Sequence, residues 1–182
     1  MIDDDLLEKV LDAGRMAPSA MNGQPWKFYI ATHQDTIARF SKTIAALTPN
    51  IMLTAAIKHP LKAIKTLLHF SPGMLGSPGG DPIFHGAPVV IFITSPKDNE
   101  WAGIDIGMCA QNMMLAARSL GLDSCPVGFG KYIAKTPVYH ELGVPSGETV
   151  QLAIIIGYGA ENPERYPRAG NTAIFIDRME CC

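Results

Sequence analysis

A polar stretch at residues 17–26, APSAMNGQPW, separates a helical pattern from a strand-like one and carries Ser19, Asn22 and Gln24. Hydroxyl and amide side chains donate and accept hydrogen bonds without carrying charge, so several of them beside one tryptophan could hold a polar ligand. The same residue types also form ordinary capped turns, in which Ser19 and Asn22 bond the local backbone. The residues alone leave both interpretations open.

Two further segments carry groups that could contact a ligand. The run CPVGFGKYI, residues 125–133, contains two glycines and predicts a bend with exposed backbone N–H groups, although a plain strand connection fits it too. An arm at residues 161–171 carries Arg165 and Arg168. The four cysteines and five histidines lack metal-ligand spacing, which predicts reduced thiols and no metal site.

Composition limits the possible partners. The 182 residues suit a single domain, 1–182, and the 47% hydrophobic content hints at an interface. A net charge of -2 with scattered basic residues excludes the usual footprint of nucleic acid or an anionic membrane. The longest apolar runs are far shorter than a membrane span, and the acidic start is unlike a signal peptide, so we expect a cytoplasmic protein.

Periodicity predicts the elements that position these groups. Helices are predicted over residues 3–17, 37–49, 60–68 and 102–120. Pro49 is the predicted stop of the second helix, Pro60 the start of the third and Gly121 the stop of the fourth. Asp105 and Gln111 are polar positions of the last of these and could face water. Thr136 and Pro137 open a short helix that ends at Gly143. Strands are predicted at 27–32, 87–94, 150–159 and 172–176. A loop is predicted at 71–82, for which a lid and a plain surface loop are both open interpretations. Because helices and strands do not strictly alternate, the sequence predicts an α+β domain around a central sheet.

The loop matches the hallmark A-P-S-x-x-N-x-Q-P-W of the FMN-dependent nitroreductase family, which this sequence resembles. The matching residues are Ala17, Pro18, Ser19, Asn22, Gln24, Pro25 and Trp26. The resemblance continues through HGAPVVIFI, DIGMCAQNMMLAARSLGLDSCPVGF and ELGVPSGETVQLAIIIGY, and is weakest over residues 50–84. It implies a mostly antiparallel central sheet flanked by helices, in an intertwined homodimer with two FMN sites between the subunits.

The resemblance also assigns residues to the cofactor. It implies that Pro18, Ser19, Asn22 and Gln24 contact the ribityl chain and ring of a flavin bound mainly by the partner subunit. It places the backbone of Pro126, Val127 and Gly128 against the ring, with the N–H of Gly128 near N5. Arg168 resembles the residue that binds the FMN phosphate, and Arg165 is a second candidate.

One departure from the family concerns phosphate binding. Family members usually carry an Arg-x-Ser-x-Arg segment ahead of the first helix, whereas this sequence starts at that helix. We therefore expect weaker FMN affinity than in relatives with the segment, decreasing further as salt screens the remaining charges.

The resemblance implies an FMN-dependent oxidoreductase. Hydride passes from NADH or NADPH through flavin N5 to a small acceptor such as a nitroaromatic, a quinone or an activated alkene, without a catalytic side chain. The alternative is a non-catalytic flavin-binding or storage module.

Overall fold

Four antiparallel strands form one sheet in the computed structural model, which describes residues 2–58, 80–160 and 167–168. The strands are β1 (Lys27–Ala31), β2 (Val89–Pro96), β3 (Asp123–Val127) and β4 (Glu148–Gly157), in the order β1-β2-β4-β3. One row of paired residues, Tyr29, Phe92, Ala153 and Val127, crosses the whole sheet. The predicted α+β class with an antiparallel sheet is confirmed.

The central strand β2 is buried from Val89 to Ser95, as its continuous apolar run predicts. Its side chains alternate between two cores: Val89, Ile91 and Ile93 face one, and Val90 and Phe92 face the other. The first core is closed by α1 (Asp4–Arg15) and α3 (Ala102–Ser119), and the second by α2 (Gln34–Lys58) and by a 3₁₀ segment, Gly128–Lys135. Helical layers therefore cover both faces of the sheet.

The two helices of the first layer begin and end close to where local signals predict. The Asp3 side chain caps α1 by accepting the N–H of Asp5 at 2.9 Å. After α3, Gly121 adopts a φ of 79°, and the N–H of Leu122 donates to the carbonyl of Ala117 at 2.9 Å. The N–H of Gly121 also donates to the carbonyl of Arg118, and the two bonds form a Schellman motif. The predicted glycine stop is therefore confirmed.

The predicted stop of α2 at Pro49 is wrong, because the helix continues through this proline to Lys58. Proline removes one backbone donor and crowds the preceding turn, which bends or weakens a helix without obliging it to end. The part of α2 before Pro49 is fixed by burial of Ile37, Phe40 and Ile44 at helical spacing. The helix predicted from Pro60, most of the 71–82 loop and the 172–176 strand lie outside the described residues.

The predicted bend at residues 125–133 is also wrong in its first part. Cys125, Pro126 and Val127 belong to β3, which pairs with β4. Pro126 is tolerated because β3 is an outer strand of the described sheet, where a missing N–H need not interrupt a ladder. The chain then forms the 3₁₀ segment and a second 3₁₀ turn, Pro137–Leu142, which stops at Gly143 as predicted. The Thr136 hydroxyl, however, donates to the Ile133 carbonyl and does not cap the turn.

Candidate functional site

The loop at residues 17–26 has an unusual backbone. Met21, Asn22 and Gln24 adopt positive φ values of 50°, 54° and 44°. Left-handed conformations cost non-glycine residues on the order of 1 kcal/mol each and are often found where a loop contacts a ligand. The Met21 side chain at the middle of the loop is 99% exposed, whereas Ala17 and Trp26 at its ends are buried.

Hydrogen bonds within the loop maintain this shape. The Ser19 hydroxyl accepts the N–H of Gln24 at 2.9 Å, and the Gln24 side chain donates to the Asn22 side-chain oxygen at 2.9 Å. The capped-turn interpretation therefore describes Ser19 correctly, whereas the Asn22 side chain bonds another side chain and not the local backbone.

One hydrogen bond fastens the loop to the first turn of α3. The Asp105 carboxyl accepts the N–H of Ala20 at 3.0 Å. The expectation that Asp105 faces water is wrong, because this residue is 2% exposed, while Gln111 is exposed as expected. A helical pattern that fixes only the spacing of residues does not reveal which neighbour covers a polar position.

Two adjoining cavities are lined by β3 and by the segments next to it. The smaller has a volume of about 170 Å³ and the larger about 320 Å³, and they share His85 and Cys125. The smaller is lined by these two residues and by Pro82, Ile83, Pro126, Val127, Gly128 and Phe129. The larger continues past the end of β4, at residues 155–160. The structure thus brings Pro126, Val127 and Gly128 together in one cavity.

Gly128 leaves space for a ligand at the end of β3. A Cβ added to this residue would meet no atom within 4 Å. Gly128 is also the first residue of the 3₁₀ segment, so its N–H has no acceptor inside that helix. An open surface beside such a donor suits a flat ring that carries an acceptor nitrogen.

Two aspartates that the sequence patterns did not single out support the cavities: Asp123 lines the larger one, and Asp81 holds the turn that carries His85. Asp81 accepts backbone N–H groups from Ile83, Phe84 and Gly86, together with the Ser41 hydroxyl. These bonds hold the turn in which His85 has a φ of 54°. The Asp-Pro and His-Gly pairs at residues 81–86 are local turn signals that could have revealed it. Asp123 likewise joins the end of α3 to the chain after β4, by accepting from Arg118 and from the N–H of Gly159.

The loop and the cavities lie on the two outer strands of the described sheet. The loop enters β1 at Lys27, and the 3₁₀ segment leaves β3 after Val127, at the same end of the sheet. Three strand spacings of about 4.8 Å separate β1 from β3, or about 14 Å. Within one chain, the structure therefore does not bring Ser19, Asn22 and Gln24 to the cavity of Gly128.

The charged residues near these segments have different environments. Glu148 accepts hydrogen bonds from Lys27 and from the Thr94 hydroxyl, which join the start of β1 to β2 and β4. The bond from Lys27 is the main cause that lowers the pKa of Glu148. Arg168 is exposed and is not among the residues that line either cavity, and Arg165 lies outside the described residues.

Comparison with known proteins identifies the family. Residues 1–158 match the model of the Nitroreductase family. The chain belongs to the Nitroreductase family. Its resemblance to nitroreductases, stated above from the loop and helix motifs, is confirmed.

Two relatives are similar to this chain over most of its length. It is 30% identical over 181 residues to nitrobenzene nitroreductase from Ectopseudomonas oleovorans, covering 85% of this chain and 77% of that one. It is 28% identical over 179 residues to chloronitrobenzene nitroreductase from Comamonas testosteroni, with the same coverage of each chain, 85% and 77%.

Solved structures share the nitroreductase fold. A nitroreductase with bound FMN from Desulfitobacterium hafniense DCB-2 is similar with a TM-score of 0.73 and 21% identity, over 97% of this chain and 89% of that one. A second, from Bacteroides fragilis NCTC 9343 and also with bound FMN, has a TM-score of 0.69 and 24% identity, over 96% and 89%. Among the helices that the structure describes, none has the length and apolarity needed to cross a membrane.

Proposed function

We propose that this member of the Nitroreductase family is an FMN-dependent oxidoreductase. In this proposal NADH or NADPH reduces the flavin, which then reduces a nitroaromatic, a quinone or an activated alkene. The observation that carries the proposal is the cavity at the end of β3, where Pro126, Val127 and Gly128 meet and where a Cβ on Gly128 would meet no atom within 4 Å. The solved relatives with bound FMN support it by their fold.

The cavity suits an isoalloxazine in shape and polarity. Pro126, Val127 and Phe129 form an apolar wall, and the two adjoining cavities together fall within the usual volume of small-molecule sites. When bound, the flavin supplies the hydride carrier at N5. The backbone N–H of Gly128 would donate to the ring, and no side chain of the protein is needed as a nucleophile or acid.

We infer that the complete site needs two copies of the chain. Because no residue of the loop lines the β3 cavities of its own chain, its residues would contact a flavin held by the β3 cavity of the partner subunit. Those residues are Pro18, Ser19, Asn22 and Gln24. The outer face of α3 supports a homodimer, since Ile104 is 58% and Leu115 60% exposed, beside the exposed Gly103 and Gly107.

The phosphate of FMN would be held by arginine. Arg168 is exposed and carries a guanidinium that can donate two parallel hydrogen bonds to a phosphate, and Arg165 is the second candidate. Replacing Arg168 or Asn22 by alanine should weaken FMN binding by about 1 to 3 kcal/mol if each loses a bond to a charged or buried group. Wild-type affinity in both variants would mean that the loop and the arm do not contact the cofactor.

Gly128 provides a direct test of the ring position. Gly128→Ala adds a methyl group to a space that is open in the protein but is occupied by the ring in the proposed complex. We expect FMN affinity to fall at least about tenfold, which corresponds to about 1.4 kcal/mol. Gly147→Ala is the matched control, because a Cβ there also meets no atom within 4 Å and the residue lines neither cavity.

Fluorescence titration with FMN measures both variants, and absorbance at the flavin band then follows reduction by NADH or NADPH without oxygen. Reoxidation by added nitrobenzene or a quinone completes the test. Equal FMN affinity in Gly128→Ala and the wild type would exclude this cavity as the ring site. Tight FMN binding without reduction by either nicotinamide would favour the flavin-binding or storage module.

A further inference from the structure

Asp105 is a carboxyl group buried in an apolar layer. It is 2% exposed in the first turn of α3, where Ala102 and Ile106 are also buried. Burying such a group is unfavourable unless hydrogen bonds compensate the loss of water. Its Oδ1 accepts the N–H of Ala20, a residue 85 positions earlier in the chain. The unfavourable burial of this carboxyl is therefore compensated by a hydrogen bond from a distant part of the chain, the N–H of Ala20.

The donor of this bond lies at a critical point of the loop. Ala20 is the first residue of the short 3₁₀ turn Ala20–Asn22, so its N–H has no acceptor inside that turn. The left-handed Met21 and Asn22 follow it directly. Since left-handed residues are locally unfavourable, a contact from outside the loop adds to the internal bonds that keep this conformation. The bond to Asp105 fixes the start of the turn to a rigid helix.

The other hydrogen bonds of the loop cannot perform this task. Those made by Ser19, Asn22 and Gln24 have both partners within the loop, so they move together with it. Among the residues that the structure describes, the bond between Ala20 and Asp105 is the side-chain hydrogen bond that joins residues 18–24 to another element.

We propose that Asp105 is a positioning residue for flavin binding: it holds Ala20 so that Asn22 and Gln24 are already placed to meet the flavin of the partner subunit. This inference rests on the proposed function. Ordering a loop at the moment of binding costs affinity, and a contact made beforehand removes that cost. The role of Asp105 is thus to preset the loop through a hydrogen-bond acceptor, without touching the cofactor.

Two substitutions remove the bond from opposite sides. Asp105→Ala removes the acceptor. Ala20→Pro removes the donor and leaves Asp105 in place; it suits the backbone because Ser19 is extended, with a φ of -143°, and proline is favoured at the first helical position. Asp105→Asn keeps an oxygen in the same position. These variants separate loss of the bond from general damage to α3.

Asn112→Ala is the matched control. Asn112 is on the same helix and also makes a long-range bond to backbone, from its Nδ2 to the carbonyl of Ala13 at 3.3 Å. It ties α3 to α1 and not to the loop. A purely structural role for such bonds would therefore give Asn112→Ala the same phenotype as Asp105→Ala.

The experiment measures two quantities in the full chain: amide hydrogen exchange at residues 19–24 without FMN, and the Kd for FMN. We expect Asp105→Ala and Ala20→Pro to exchange faster at these residues and to bind FMN at least about tenfold more weakly. Asp105→Asn should resemble the wild type in both quantities. Asn112→Ala should change neither, even if its melting temperature falls.

Either of two results would overturn the inference: unchanged loop exchange in both Asp105→Ala and Ala20→Pro, or an Asp105→Asn variant as impaired as Asp105→Ala. If Asp105→Ala does not fold, Ala20→Pro and Asp105→Asn decide the question. If the wild type binds no FMN, the proposed function fails. Faster loop exchange in both Asp105→Ala and Ala20→Pro, with wild-type exchange in Asp105→Asn and Asn112→Ala, would still establish that Asp105 holds the loop.

Discussion

Replacing Gly130 by alanine would place the new methyl carbon 2.3 Å from the Cβ of Ala153 on β4. Carbon atoms attract each other best at about 3.5 to 4.0 Å, so the two elements must separate by more than an ångström. Ala153 is fully buried between β2 and β3, and neither methyl can rotate away. The 3₁₀ segment, which begins at Gly128, therefore has to move.

The loss of stability in Gly130→Ala can be estimated, and removing the opposing methyl group in Ala153→Gly should relieve it. Overpacking usually costs about 1 to 3 kcal/mol, and we expect about 3 kcal/mol because both atoms are fixed to backbone. Ala153→Gly alone should cost about 1 kcal/mol. In the double variant the nearest atoms of residue 153 would be its N and Cα, both 3.4 Å from the methyl of Gly130→Ala, which is ordinary contact. The two changes should thus compensate by about 2 kcal/mol.

Urea denaturation of the four proteins at one concentration measures this coupling, with unfolding followed by tryptophan fluorescence. A common concentration is needed because the apparent stability of an oligomer depends on it. FMN titration of the same proteins reports on Gly128, two residues before the substitution. We expect Gly130→Ala to bind FMN more weakly and the double variant to recover. Additive losses of stability in the double variant would refute the argument.

Three further predictions follow from thiol burial, pKa and backbone conformation. Burial raises the pKa of the Cys109 thiol to about 12, so iodoacetamide at pH 8 should label the exposed Cys125 in native protein and Cys109 only after unfolding, as peptide mass mapping can show. Saturating FMN should slow the labelling of Cys125 if the flavin occupies its cavity. The hydrogen bond from Lys27 lowers the pKa of Glu148 from its ordinary value. The stabilisation from this carboxylate is therefore present above the ordinary pKa of a glutamate and is lost as pH falls through the lowered pKa of the folded state. Glu148→Gln should therefore lower the free energy of unfolding at pH 7 and make that free energy depend less on pH in the acid range. An unchanged pH dependence would contradict this. Gly143→Ala, at a φ of 66°, should cost about 1 kcal/mol in thermal unfolding, and no loss would mean that the turn relaxes.

Local signals in the sequence were sufficient for several parts of this protein. The glycine stop after α3 could be predicted because Gly121 supplies a left-handed residue and Leu122 follows it within the same motif. The buried central strand could be predicted because a run of β-branched and aromatic residues suits two covered faces. The loop at residues 17–26 could be assigned to its family because its pattern lies in ten consecutive positions. Each of these signals is contained in neighbouring residues.

The tertiary structure decided what local signals could not. Pro126 lies in a strand because pairing with β4 outweighed the preference of proline for a boundary. Pro49 lies inside α2, since a proline within a helix bends or weakens it without obliging it to end. The burial of Asp105 depends on an amide 85 positions away. The placement of the loop and the β3 cavity on opposite outer strands follows from the order β1-β2-β4-β3. Contacts of this kind join distant parts of the chain, and they arise only when the whole sheet and its helices pack together.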